Sequence, residues 1–177
     1  MNRPQLRLAL FAGFLLVFPF FLRRRPRVER SATICMPPSV VFPYLNDLRN
    51  WPLWTVWAHR ERMHYSYSDT SIGTGAVQRW RGARMSGQLR IVRSEPDYRI
   101  DYEVRINRGE YELFGRIQLL EDGACTRVTW KAIWERAANP YRRYLDLALQ
   151  LLLRRDFERS LKHLKEMVEQ PREFVEY

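Results

Sequence analysis

Three histidines, His59, His64 and His163, are the side chains best suited to move a proton or hold a metal, and their spacing supports neither task. No two of them fall at ligand spacing, and no acid–histidine cluster accompanies them. His59 sits in the polar stretch "AHRERM", read as an exposed loop, and His163 falls on the polar side of a helix. His64 opens a strand and is carried forward as a candidate for an interior wall. Ser31, Ser39, Ser66 and Ser160 stand in no nucleophile elbow. The "GTG" at residues 73–75 lies between strands rather than before a helix, so it is not a phosphate loop. Asp101 and Glu103 fall on the wet face of their strand, the wrong side for a buried acid. Cys35 and Cys125 lack metal-ligand spacing; the sequence leaves their pairing open, and a reducing compartment would keep them apart. Without an acid–base pair, a nucleophile or a metal set, an enzyme is not expected, nor is a cofactor.

Aromatic side chains are the stronger feature. The chain holds 6 tryptophans and 9 tyrosines. Trp54, Trp57, Trp80, Tyr102, Trp130 and Trp134 all fall on inward faces of the expected elements. Such rings either fill a core or line a cavity whose flat apolar walls suit a hydrophobic ligand. Volume decides between the two, and a sequence has none.

The elements that must hold these rings follow from periodicity. Residues 28–36 alternate as a strand, and Pro37–Pro38–Ser39 then starts a helix. Val40, Val41, Tyr44, Leu45 and Leu48 recur at helical spacing, with Pro43 in a first turn or a kink. A second short helical piece is expected near Leu53 to Ala58. From residue 62 to 135 strand follows strand. "YRIDYEVRI" is the clearest, with Tyr98, Ile100, Tyr102, Val104 and Ile106 on one face and charges on the other. "DGAC" is a hairpin signal, and "TRVTWKAIWE" closes the sheet with Val128, Trp130, Ala132 and Trp134 inward. Asn139 and Pro140 open a long helix, as N-cap and first helical residue, that should run to about Glu169. Its stripe is Leu145, Leu149, Leu153, Phe157, Leu161, Leu164 and Val168. The order predicts an α+β fold, a curved antiparallel sheet wrapped around its last helix.

These landmarks, in this order, resemble the SRPBCC superfamily, the START-like helix-grip fold, and most of all its polyketide cyclase/dehydrase-like branch. The residues that carry the resemblance are "VERSATICMPPSVVFPYLNDLRNWPLW" with the pair Trp54 and Trp57, "GTGAVQRW", "SGQLRIV", "TRVTW" and "FERSLKHLKEMVE". It covers about residues 28–169. The resemblance implies a cavity between the sheet and the long helix, and a lipid, quinone, polyketide or other apolar molecule as its occupant. One departure stands out: from Leu145 to Leu153 the helix is apolar nearly all round. At 100° per residue, Leu145, Leu149 and Leu152 meet the sheet, and the first two join the expected cavity wall. Tyr144, Leu147 and Leu151 point away from it and are candidates for contact with a partner.

The amino-terminal segment carries a different signal. Leu8–Leu22 holds no charged residue, and Arg23, Arg24 and Arg25 end the run. Phe20, Phe21 and Leu22 are too bulky for a signal-peptidase site. Leu6–Leu22 spans about 25 Å as a helix, at the short end for a membrane crossing. We read it as a single-pass transmembrane helix, giving an anchor with basic flank (1–27), a START-like domain (28–170) and a tail (171–177). Arg23, Arg24, Arg25 and Arg27 would lie against lipid headgroups, and the arginine bias puts the folded part on the cytoplasmic side. Seven arginines and one glutamate give residues 1–30 a net charge of +6 out of +10 for the whole chain. The domain itself is therefore only mildly basic, without a nucleic-acid-binding stripe. The function expected is a membrane-anchored binder of a small hydrophobic ligand. The alternative is an accessory subunit of a larger membrane protein complex, with a filled core.

Overall fold

The computed structural model describes residues 26–59, 62–83, 85–109, 111–134 and 143–170, with Arg7, Gly13 and Phe14; for residues 108 and 143–145 only the backbone is described. The alternation at the start of the domain becomes β1 (Arg27–Ile34), with Val28 and Ile34 buried. Pro37 and Pro38 then start α1 (Pro38–Asn46), which buries Val41, Phe42 and Leu45 and keeps Pro43 within it. Asn50–Pro52 restarts the chain as α2 (Trp51–Trp54), one residue pair earlier than its sequence suggests, followed by a 3-10 turn, Val56–His59.

Six strands follow: β2 (His64–Tyr67), β3 (Val77–Arg81), β4 (Ser86–Glu95), β5 (Arg99–Ile106), β6 (Tyr111–Asp122) and β7 (Cys125–Trp134). With β1 they form a 7-stranded antiparallel sheet in the order β1-β7-β6-β5-β4-β3-β2. Each hairpin pairs the strands next in sequence, and β1 closes onto β7 with Ile34 opposite Thr126. A bulge between Ile91 and Arg93 puts Val92 out of register on the solvent side and bends β4. The tight turn from β6 to β7 needs a left-handed residue, supplied by Gly123 at φ 65°. Tyr98, expected inward, instead belongs to the turn before β5 and is exposed, whereas Ile100 and Tyr102 are buried.

The long helix α3 (Arg143–Glu169) packs across the sheet. Its buried residues are Asp156, Phe157, Ser160, Leu161, Leu164 and Val168. Its expected opening at Asn139 and Pro140 lies outside the described residues. Two polar contacts tie its carboxyl half to the domain: Val56 N donates to Ser160 Oγ at 3.0 Å, and Lys165 Nζ donates to Thr33 O at 2.8 Å. Cys35 and Cys125 form a disulfide that joins the end of β1 to the start of β7.

No helix among the described residues is long and apolar enough to cross a membrane. The apolar run at residues 8–22 lies outside the described residues except for Gly13 and Phe14, as do Arg23, Arg24 and Arg25. Arg27, assigned from sequence to the basic flank, is the first residue of β1, and its carbonyl accepts from Gln150 Nε2 at 2.6 Å.

Candidate ligand cavity

Four rings build the packed end of the domain. Trp51 and Trp54 come from α2, Trp130 from β7 and Phe157 from α3. Trp130 is the hub: it stacks on Phe157 at 3.9 Å between centroids and meets Trp54 edge-on at 5.2 Å. Trp57 approaches it at 5.5 Å. The indole nitrogens are paired, Trp51 Nε1 to Leu45 O at 2.8 Å and Trp130 Nε1 to Tyr102 Oη at 2.6 Å. Burial raises the Tyr102 phenol far above its usual pKa, and the hydrogen bond from Trp130 offsets part of that rise.

Beyond Trp51 and Phe157 the rings stop meeting each other. A cavity of about 190 Å³ opens between β2–β6, α2 and the amino-terminal half of α3. Its wall includes Trp51, Trp57, Tyr65, Trp80, Leu89, Tyr102, Val104, Leu149 and Leu153. Space remains because two aromatic side chains lie flat on the sheet. Trp80 covers Gly87, its cross-strand partner, and Tyr102 covers Gly115 in the same way. A Cβ at Gly87 would lie 2.9 Å from Trp80 Cε2, and one at Gly115 would collide with the Tyr102 ring. Glycine at these positions lets each ring sit down on the backbone instead of standing up into the cavity. The Tyr65 hydroxyl donates to Met63 Sδ at 3.4 Å, and burial raises its pKa, with Tyr67 adding to the rise.

Of the residues expected on the wall, Trp57, Trp80, Tyr102 and Leu149 line this cavity. Trp54 and Trp130 do not, because they are buried in the packed end, and neither does Trp134, which is buried beside the amino-terminal half of α3, where its Nε1 donates to Asp146 Oδ1 at 3.4 Å. His64 is also off the wall: on β2 it is exposed while its neighbour Tyr65 takes the inner face. The side chains of Leu145 and Tyr144 lie outside the described residues. Leu147 and Leu151 are 36% and 54% exposed. Leu152, expected against the sheet, is 47% exposed at the cavity rim, and Leu153 takes the inward place. The stripe Leu149, Leu153, Phe157, Leu161, Leu164 and Val168 faces the sheet as its spacing predicts, and Asp156 beside it is buried too.

Sequence reasoning missed Trp51, Gln78 and the two glycines. The glycines carried a readable signal, since a glycine inside a strand marks a close approach. Gln78 carried one as well, since two residues before the inward Trp80 on the same strand it must share that face. Among the described residues no group of three or more His, Cys, Asp or Glu is placed to hold a metal.

Comparison with known proteins agrees with this architecture. No curated protein matches the chain in sequence. The fold is similar to that of TTHA0849 from Thermus thermophilus, with 21% identity over 81% of this chain and 97% of that one, and a TM-score of 0.62. It is also similar to the Aha1 dimer protein from Colwellia psychrerythraea, with 13% identity over 82% and 98% of the two chains and a TM-score of 0.59. CalU16 from Micromonospora echinospora shares 14% identity over 82% and 76%, with a TM-score of 0.56. At these identities the likeness is one of fold. The family model described as "Polyketide cyclase / dehydrase and lipid transport" matches residues 25–169, nearly the whole folded part, and the chain belongs to that family.

Proposed function

We propose that the domain binds a small apolar molecule in the cavity and holds it beside a membrane through the apolar run at residues 8–22. The observation that carries the reading is the space itself: about 190 Å³ walled by tryptophan, tyrosine and leucine side chains. A wall of that kind gains free energy from any apolar surface that displaces its water. The family supports a small-molecule-binding domain, and the aromatic wall supports an apolar occupant. The competing reading, an accessory subunit of a membrane complex, draws support from the exposed leucines on α3, Leu147, Leu151 and Leu152. It does not account for the cavity.

Toluene tests the binding reading directly. At a hundredfold excess over its Kd, a ligand confined to the folded state adds about 2.7 kcal/mol of stability. The full-length protein should show that upward shift in thermal unfolding. Leu149→Trp, which fills the wall, should fold and show none. A wild-type protein that takes up no toluene would overturn the reading.

A further inference from the structure

Gln78 is a polar side chain placed where an apolar wall has no need of one. It is only 4% exposed and it lines the cavity. Its Nε2 donates to Leu48 O at 3.0 Å and to Tyr67 Oη at 3.3 Å. A backbone carbonyl can only accept, so the first of these bonds fixes which end of the amide is nitrogen. Oε1 therefore points the other way, and it has no hydrogen-bond partner among the described residues. It is not sealed in protein either, because Arg99 Nε is the one fully enclosed side-chain nitrogen or oxygen there that lacks a partner. The space left for Oε1 to meet is the cavity. Tyr102 complements it from the same wall. Its oxygen accepts from Trp130 Nε1, and its own proton has no acceptor among the described residues. Asp156, also buried on this wall, already has a partner.

Size narrows the class further. An apolar cavity of about 150 Å³ holds one benzene. This one, at about 190 Å³ and open on one side, seats a single ring between its walls and lets any substituent reach the opening. We propose that the ligand is a single-ring, hydroxyl-bearing molecule of the phenol class, whose hydroxyl donates to Gln78 Oε1. The inference rests on the cavity being a binding site and adds the identity of the group that selects its occupant. A ring without the hydroxyl leaves a buried acceptor unpaired, and a ring that fits with it pairs both.

Calorimetric titration of the full-length protein with toluene and with 4-methylphenol separates the two claims, since these ligands differ by one hydroxyl. The wild type should bind 4-methylphenol about tenfold more tightly than toluene, the worth of one satisfied buried hydrogen bond. Gln78→Met should bring the ratio to one or below while still binding toluene. Equal or tighter binding of toluene by the wild type overturns the role of Gln78 and leaves the cavity reading standing. So does a tenfold preference that survives in Gln78→Met. Failure to bind either ring overturns both. The wild-type comparison holds even if the variant does not fold.

Discussion

Under β7 and β5 the aromatic rings meet one another, Tyr102 lying edge-on to Trp51 at 5.1 Å; under β2 and β3 they meet space. The same residue types do both. Trp54 and Trp130 are fully buried, and their neighbours are Trp51, Trp57 and Phe157. Trp80 is half-buried, and its neighbour across the strand is a glycine. What differs is the depth available beneath the sheet. At the packed end, Trp51 and Trp54 on α2 and Phe157 on α3 all crowd against the sheet, so a ring projecting from β7 is met from the opposite side. At the other end the facing surface is the part of α3 that carries Leu149 and Leu153, both half-buried. There the rings lie down on glycine and leave a gap. A tryptophan is thus filler or wall according to what stands across from it.

The largest test of that contrast is Trp130→Ala. It removes the hub of the packed end and should cost about 3–5 kcal/mol in chemical denaturation. Loss of less than about 1 kcal/mol would show that the rings around Trp130 are not packed as described. A smaller effect is expected from the glycines. Gly115→Ala displaces the Tyr102 ring, which also holds Trp130, and should cost about 1–3 kcal/mol. Gly87→Ala pushes Trp80 toward the cavity and also meets the backbone oxygen of Arg105 at 2.6 Å, so it should cost a similar ~1–3 kcal/mol while toluene binding falls. Unaltered toluene binding in Gly87→Ala would erase the difference between the ends. The smallest effect belongs to the outer face of α3. Leu147→Glu with Leu151→Glu should change unfolding stability by no more than about 0.5 kcal/mol, as exposed positions do, and should leave toluene binding unaltered. A double variant that unfolds would place both leucines in the core.

Strand and helix placement was legible because it rests on local periodicity. The alternation in "YRIDYEVRI" from Ile100 onward, that in "TRVTWKAIWE" up to Trp134 and the stripe from Phe157 to Val168 appear in the fold as the pattern demands, and Tyr98 alone departs from it. The candidate site was legible only in part. Alternation told which face Trp57, Trp80 and Tyr102 occupy, and these do line the cavity. It could not tell that Trp54, Trp130 and Trp134, which share that inward face, lie off the cavity, the first two at the packed end and Trp134 beside Asp146. It also failed at the amino-terminal half of α3, where an all-round apolar helix gives the wheel no polar side to orient it. Leu152, expected against the sheet with Leu149, is 47% exposed for that reason.

The sequence by itself determined the order of elements and which face of each strand its aromatic residues take, since each depends on residues near one another in the chain. The tertiary structure alone decided three things. It brought Cys35 beside Cys125, separated by 90 residues, because β1 closes on β7. It fixed which end of the Gln78 amide faces the cavity, because Leu48 O stands where Nε2 can reach it. And it divided one set of rings into core and wall, because whether a buried ring touches a ring or a void depends on elements that the chain brings together only when folded.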